Sequence, residues 1–214
     1  MIKFQIMNTQ EKYSLAELVI AHALRNGAQQ VAVSVTESRN NDVEIRNQQV
    51  DRLTESNRNS LTVDLYVDKK YSSHSTNRMN KDELLKFVEE AIIATRYLAE
   101  DEFRVLPDPE RYYKGGGPDL DMLDQSIATI ETRTRIDLAR AVMDEAFNRD
   151  ERIISVSAGY SDSVSSSVMV TSNGFKGDSE RSSISLSASV SVKTGQGRPS
   201  RSEEHTSELQ SRQS

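Results

Sequence analysis

Apolar residues recur along this chain at two periods, one helical and one extended. Leu15, Leu18, Val19 and His22 share a helical face, and their spacing predicts a helix over residues 13–26. Ser14 is its expected cap, Glu17 the reciprocal partner, and Gly27 stands where a helix takes a left-handed stop. Val31, Val33 and Val35 then alternate with polar residues as in a half-buried strand, and Val43 and Ile45 continue the pattern on a second one. Asn47-Gln48-Gln49 is expected to turn the chain into a third strand through Val50 and Leu53. Leu61, Val63, Leu65 and Val67 form the clearest alternation of the first half. Asp68-Lys69-Lys70 reads as a tight turn returning through Tyr71 to His74.

Asn80 with Glu83 forms a variant capping box. It opens a helix whose Leu84, Val88, Ala91, Ile92, Thr95 and Leu98 recur at helical spacing. Residues 104–125 form a connector broken by Pro107, Pro109, Gly115-Gly116-Gly117 and Pro118. A third helix is predicted over residues 131–148, with Ile136, Ala139, Val142, Met143, Ala146 and Phe147 on one side. Beyond it the chain turns serine-rich. Ile154, Val156 and Ala158 alternate, as do Val164, Ser166, Val168 and Val170, and Asn173-Gly174 signals a two-residue hairpin turn. From Ser183 to Val192, Ile184, Leu186, Ala188, Val190 and Val192 face one way and serines the other. One sheet face is therefore apolar and the other a carpet of hydroxyls. If such a sheet lacks neighbouring strands, it exposes an edge prone to aggregation.

Strands joined by short turns and partly segregated helices predict an α+β fold, with mainly antiparallel sheets and packed amphipathic helices. Four regions follow in chain order: 1–103 (helix, strands, helix), the linker 104–125, 126–198 (helix and serine-rich strands), and a non-native tail over 199–214. Within that tail Arg201 to Ser211, RSEEHTSELQS, matches one reading frame of a common sequencing-library adapter. On that reading the natural protein continues beyond about residue 198, and Glu203, Glu204 and His205 carry no function.

Composition narrows the function classes. The 214 residues are 36% hydrophobic with a net charge of −6, which disfavours the phosphate-neutralising surface of a nucleic-acid binder. There is no cysteine, hence no disulfide, thiol nucleophile or thiolate metal site in these residues. No apolar run approaches the ~20 residues of a membrane span, so no membrane partner is expected. The first residues lack the apolar core of a signal peptide, and a cytoplasmic location is expected.

No constellation in the sequence could run a reaction unaided. His22, His74 and His205 form no pair at i, i+3 or i, i+4. His22 reads as a packing or rim residue and His74 as an exposed turn residue. No G-x-S-x-G elbow occurs, and no base is visibly supplied to any serine. Gly115-Gly116-Gly117 lacks the Lys-Ser/Thr of a phosphate loop and reads as a flexible linker. Asp119, Asp121 and Asp124 lack the glycine and bidentate glutamate of a calcium loop and read as loop acids. The alternating serines read as a solvated sheet face or, more sharply, as a polar wall against which an extended peptide could lie. Catalytic, cofactor-binding and metal-site residues are all expected to be none.

Several segments together resemble the TldD/PmbA family, its PmbA (TldE) branch more than its TldD branch. They are Asn26-Gly27-Ala28, DVEIRNQQVDRLTE, SLTVDLYVDKKYSSHST, NRMNKDELLKFVEEAIIAT, PDLDMLD at Pro118 to Asp124, and VMVTSNGFKGDSERSSISLSASV. The likeness covers almost all of residues 12–196. It departs at Asn59-Ser60 and at the Asp68 turn, where the family carries glycines. The resemblance implies a cytoplasmic, zinc-dependent peptidase system acting on unfolded or extended peptides, in which TldD- and TldE-type subunits pair. The family's zinc motif, His-Glu-x-x-x-His, belongs to the TldD type and lies further along the chain. The resemblance thus implies an N-terminal, PmbA-like part that lacks the zinc motif. Zinc is then expected in a TldD-type partner subunit, with a peptide as substrate. The alternative expectation is a non-catalytic binding or assembly module that partners a TldD-type protease.

Overall fold

The computed structural model describes residues 7–115, 117–147, 149–193 and 199–200. Three α-helices, α1 (Thr9–Arg25), α2 (Lys81–Thr95) and α3 (Thr132–Phe147), accompany six strands: β1 (Gln30–Arg46), β2 (Gln49–Val67), β3 (Lys70–Thr76), β4 (Ile153–Thr171), β5 (Lys176–Lys193) and the short β6 (Pro199–Ser200). The strands form one sheet in the order β3-β2-β1-β4-β5-β6. The fold is α+β, and its five long strands are antiparallel. Near one end of the β1–β4 pair Ser172 N–H donates to the Val31 carbonyl, and near the other Asn47 N–H donates to the Val156 carbonyl. This is the pattern of an antiparallel pair.

Of the described residues, those within 7–40, 56–128 and 163–183 form one compact unit, and those within 41–55, 129–162 and 184–200 form a second. The units interleave, whereas the sequence suggested regions that follow one another. The reason is strand length. The two strands expected at Val31–Val35 and Val43–Ile45 are one, β1, and those expected at Val50–Leu53 and Leu61–Val67 are one, β2. No glycine or proline interrupts either. In β1 the polar residues that looked like a break, Glu37, Arg39 and Asn41, keep the parity of Val35 and Val43, whereas in β2 the polar run from Gln49 to Glu55 is exposed.

In the first unit α1 and α2 cover the apolar face. Ala16, Val19, Ile20 and Ala23 of α1 and Leu84, Val88, Ala91 and Ile92 of α2 pack with Val31, Val33, Val35, Leu61, Val63, Leu65, Val67, Val168 and Val170. Helix α1 starts earlier than residue 13, because Asn8 and Glu11 form the capping box expected of Ser14 and Glu17. Ser14 instead donates back to the Gln10 carbonyl inside the helix. Gly27 takes φ 100°, the left-handed stop read from the sequence. In α2 the Asn80 side chain accepts from the Asp82 and Glu83 amides, as its cap position demands.

Beyond Val35 the inward row of β1 turns charged. Lys12 of α1 is buried and pairs with Glu37 at 3.3 Å, while its ammonium also donates to Ser166. A buried charge stands only when paired, so α1 supplies the cation that lets Glu37 sit inward.

The second unit packs Ala139 and Met143 of α3 on Val43, Ile45, Val156, Ala158 and Tyr160. Among these apolar groups lies a charged network. Asp162 accepts from Asn41 Nδ2 at 2.7 Å, from Arg135 Nε at 2.6 Å and from the Tyr160 hydroxyl at 2.8 Å. Burial pushes the Asp162 carboxyl up, but its three donors outweigh this and hold it below its ordinary value. Burial first, and then the bond to Asp162, push the Tyr160 phenol up to about 12.

Two turns carry an avoidable cost. Asn47 and Gln48 take φ 48° and 67°, and Asp68 and Lys69 take 51° and 60°. Paired left-handed residues match the twist of a two-residue hairpin but suit glycine best. Replacing Gln48 with glycine is expected to raise stability by ~0.5–1 kcal/mol, seen as a higher urea midpoint at unchanged slope. The hairpin at Asn173-Gly174 lies where the sequence placed it but spans Ser172 to Phe175 rather than two residues. Asn173 is drawn outward: its amide donates to the Pro107 carbonyl, and the Tyr112 hydroxyl donates to its side-chain oxygen. The first part of the 104–125 connector is thereby held on the first unit.

Candidate functional site: a serine-lined groove

The second unit carries an open groove of about 700 Å³ on its polar sheet face. Side chains alternate across an extended strand, so burying Val156, Ala158 and Tyr160 turns Ser157, Gly159 and Ser161 of β4 to the opposite face. Ser185, Ser187 and Ser189 of β5 line the groove beside them, and β1 and β2 add Asp42, Glu44 and Arg52. Gly159 keeps the floor low: a Cβ there would stand 2.9 Å from the Ser187 hydroxyl oxygen.

The groove's chemistry is neutral hydrogen bonding with a rim of both charges. Glu44 is engaged by Arg46 at 3.2 Å and by Arg52 at 3.3 Å, and Arg46 also reaches Asp51 at 3.5 Å. Asp42 is half-buried on the same strand face. No histidine or lysine lines the groove, so its serines lack an activating base of either type. Such a surface can hold backbone amides and small polar groups by hydrogen bonds. The alternating serines thus share one face and line a groove, with Gly159 as a part the sequence reading missed. A glycine inside a strand can mark close approach of another backbone, and that was the available signal.

The other candidates do not come together. His22 sits half-buried at the rim of α1, with Nε2 2.9 Å from Glu89 Oε1. His74 is not an exposed turn residue. It lies within β3, half-buried, with Nε2 2.9 Å from the Ser72 hydroxyl and its ring edge-on to Phe87. The alternation that buries Ser72 also turns His74 inward. Asp119 and Asp124 accept from the Asp121 and Ser126 amides as loop-closing side chains, and the Ser126 bonds hold Asp124 below its ordinary value. His205, Glu203, Glu204 and Gly116 lie outside the described residues. Among the described residues no three His, Cys, Asp or Glu side chains are grouped to hold a metal, so this donor set does not fit a zinc site. No helix among them is long and apolar enough to cross a membrane.

Two family models match the sequence: PmbA/TldA metallopeptidase domain 1 over residues 31–95, and the PmbA/TldA metallopeptidase central domain over residues 125–212. The chain belongs to the PmbA/TldD metallopeptidase family. A Bacteroides thetaiotaomicron protein described as a proposed modulator of DNA gyrase is 41% identical, with a TM-score of 0.85 over 90% of this chain and 44% of its own. A Thermotoga maritima protein described in the same way shares the fold at 17% identity, with a TM-score of 0.65 over 87% of this chain and 41% of its own. Thermococcus kodakarensis TldE does so at 13% identity, with a TM-score of 0.68 over 85% of this chain and 40% of its own. The chain thus spans less than half the length of these PmbA/TldD-like structures. No curated protein matches its sequence.

Proposed function

We propose that this chain is the N-terminal, PmbA/TldE-like part of a zinc-dependent peptidase system that acts on unfolded or extended peptides. Its role is to shape the path of the peptide, while a TldD-type partner subunit carries the zinc and the bond-breaking chemistry. The observation that carries the reading is the serine groove. Two rows of hydroxyls flank a glycine floor, a surface suited to an extended backbone of any sequence. Cytoplasmic placement accords with the family resemblance.

The test is reconstitution. The purified chain alone is expected to leave an unstructured peptide intact with or without added zinc. A TldD-type protein is expected to cleave it faster when the chain is present. Zinc-dependent cleavage by the chain alone would overturn the proposal. Co-purification with the TldD-type protein at unchanged peptidase activity would favour the alternative, an assembly module with no part in handling substrate.

A further inference from the structure

The sequence holds two Asn-Gly steps, Asn26-Gly27 at the end of α1 and Asn173-Gly174 in the hairpin between β4 and β5. Asparagine before glycine is the dipeptide most open to attack on its own side chain, because glycine puts no Cβ in the way of ring closure. The two steps share that chemistry and differ in what holds them. Asn173 is clamped. Its Oδ1 accepts from the Tyr112 hydroxyl at 2.6 Å and from the Thr171 hydroxyl at 2.7 Å, and its Nδ2 donates to the Pro107 carbonyl at 2.9 Å. Asn26 is exposed, and among the described residues one bond holds its side chain, from Nδ2 to the His22 carbonyl at 2.9 Å. It closes the last turn of α1, where helices fray. A cation stands beside it. Arg96, at the end of α2, reaches the Asn26 carbonyl oxygen with Nη2 at 3.5 Å and also pairs with Asp68 at 3.7 Å. That carbonyl oxygen and the Gly27 nitrogen belong to one peptide unit.

We propose that Asn26-Gly27 is a site of spontaneous covalent modification, in which the Gly27 nitrogen closes on the Asn26 side chain with help from Arg96, while the clamp on Asn173 spares the other Asn-Gly step. Gly27 N–H first gives its proton to solvent hydroxide, leaving a peptide anion whose charge is shared with the Asn26 carbonyl oxygen. Arg96 donates to that oxygen and steadies the charge. The nitrogen attacks Asn26 Cγ. An N–Cγ bond forms, the Cγ–Nδ2 bond breaks, and Nδ2 takes a proton from water and leaves as ammonia. The product is a cyclic succinimide, which one water then opens. Opening at Cγ gives aspartate. Opening at the former Asn26 carbonyl carbon gives isoaspartate, whose backbone runs through the side chain. Either way one water is taken up and one ammonia is lost, and nothing is oxidised or reduced.

The place of the change gives it a structural effect. The new carboxylate stands at the negative end of α1, where the Asn26 amide had donated to the His22 carbonyl. Isoaspartate also lengthens the backbone by one carbon just before Ala28. Ala28 is buried, and its N–H donates to the Ala23 carbonyl at 3.1 Å. Ala23 belongs to the face of α1 that packs on the core of the first unit. The hold of α1 on that core is therefore expected to loosen as the chain ages.

The test ages the whole folded chain in an amine-free buffer and weighs its tryptic peptides, of which residues 26–39 carry one Asn-Gly step and residues 153–176 the other. Asn26 is expected to convert roughly tenfold faster than Asn173 or more, since three side-chain bonds must open at the clamped site and one at the other. In urea the clamp is gone, and the two should convert at similar rates. Tyr112→Phe is expected to speed conversion at Asn173 alone. Arg96→Gln is expected to slow Asn26 by roughly two- to fivefold, the scale of an exposed charge contact, with Arg96→Lys close to the native rate. Asn26→Gln, which would have to close a larger ring, should keep the urea midpoint that the native chain loses on ageing. Equal rates in the folded chain, or a faster Asn173, would overturn the proposal. So would an Asn26 that keeps its amide in the folded chain while the unfolded chain converts, or a rate at Asn26 untouched by Arg96→Gln. Rates that stay unequal in urea would overturn it too, by tracing the difference to sequence neighbours rather than to the fold.

Discussion

Replacing Asp162 with alanine is expected to destabilise the protein by ~3–5 kcal/mol, the loss seen when one partner of a buried ion pair is removed. Three donors lose their acceptor at once. Arg135, with only 5% of its side chain exposed, keeps a charge that has lost this carboxylate, and Asn41 and the Tyr160 hydroxyl lose their bonds to it. Most of the cost lies in those stranded groups rather than in the net worth of the pair. The double replacement Arg135→Met with Asp162→Leu should therefore recover most of the loss. Urea unfolding of the two variants beside the native chain checks the claim, and an Asp162→Ala variant as stable as the native chain would refute it.

The same network sets a pH dependence. Asp162 is held below its ordinary value in the folded state, so its contribution is complete above the unfolded value near 3.8 and disappears as pH falls through the folded one. Tyr160 works at the other end. Its phenol stays neutral up to about 12, against 10.0 when free, so its contribution is complete below pH 10 and is lost between there and pH 12. Asp162→Asn should flatten the acid limb and Tyr160→Phe the alkaline one in a melting-temperature profile.

In the first unit, Leu65→Ala is expected to cost ~2–5 kcal/mol. Leu65 is fully buried in the cluster that α1 and α2 cover, between Val63 and Val67 on β2. Its loss removes transfer energy and leaves a cavity that paired strands cannot close. Leu65→Met, which nearly conserves volume, should cost less than ~1.5 kcal/mol. A drop in the urea midpoint for alanine but not for methionine is the expected outcome.

These two sites differ in how far the sequence disclosed them. Leu65 belongs to an alternation that local pattern reveals without help. The inward positions Glu37, Arg39, Asn41 and Asp162 broke that pattern, so one strand looked like two. What makes a charge acceptable there is a partner distant in sequence: Lys12 for Glu37, and Arg135 for Asp162. Nothing near residue 37 announces Lys12. The capping box at Asn8 was there to be read, but the apolar spacing drew the start of α1 to a later, weaker cap. For the groove, alternation alone sorted the serines onto one face. Gly159 gains meaning only when β1, β4 and β5 are neighbours, because its missing side chain matters only beneath Ser187.

The seam between β1 and β4 has a kinetic consequence. Each hairpin of the sheet closes over a few residues, but β1 and β4 are separated by the whole of residues 47–152. Local hairpins can zip in microseconds, whereas joining segments so distant must first bear the entropy of a very large loop. The rate of maturation should therefore be governed by this late union. A nascent chain leaving the ribosome would hold β1 to β3 as a partial sheet, its β1 flank bare, until translation has delivered β4.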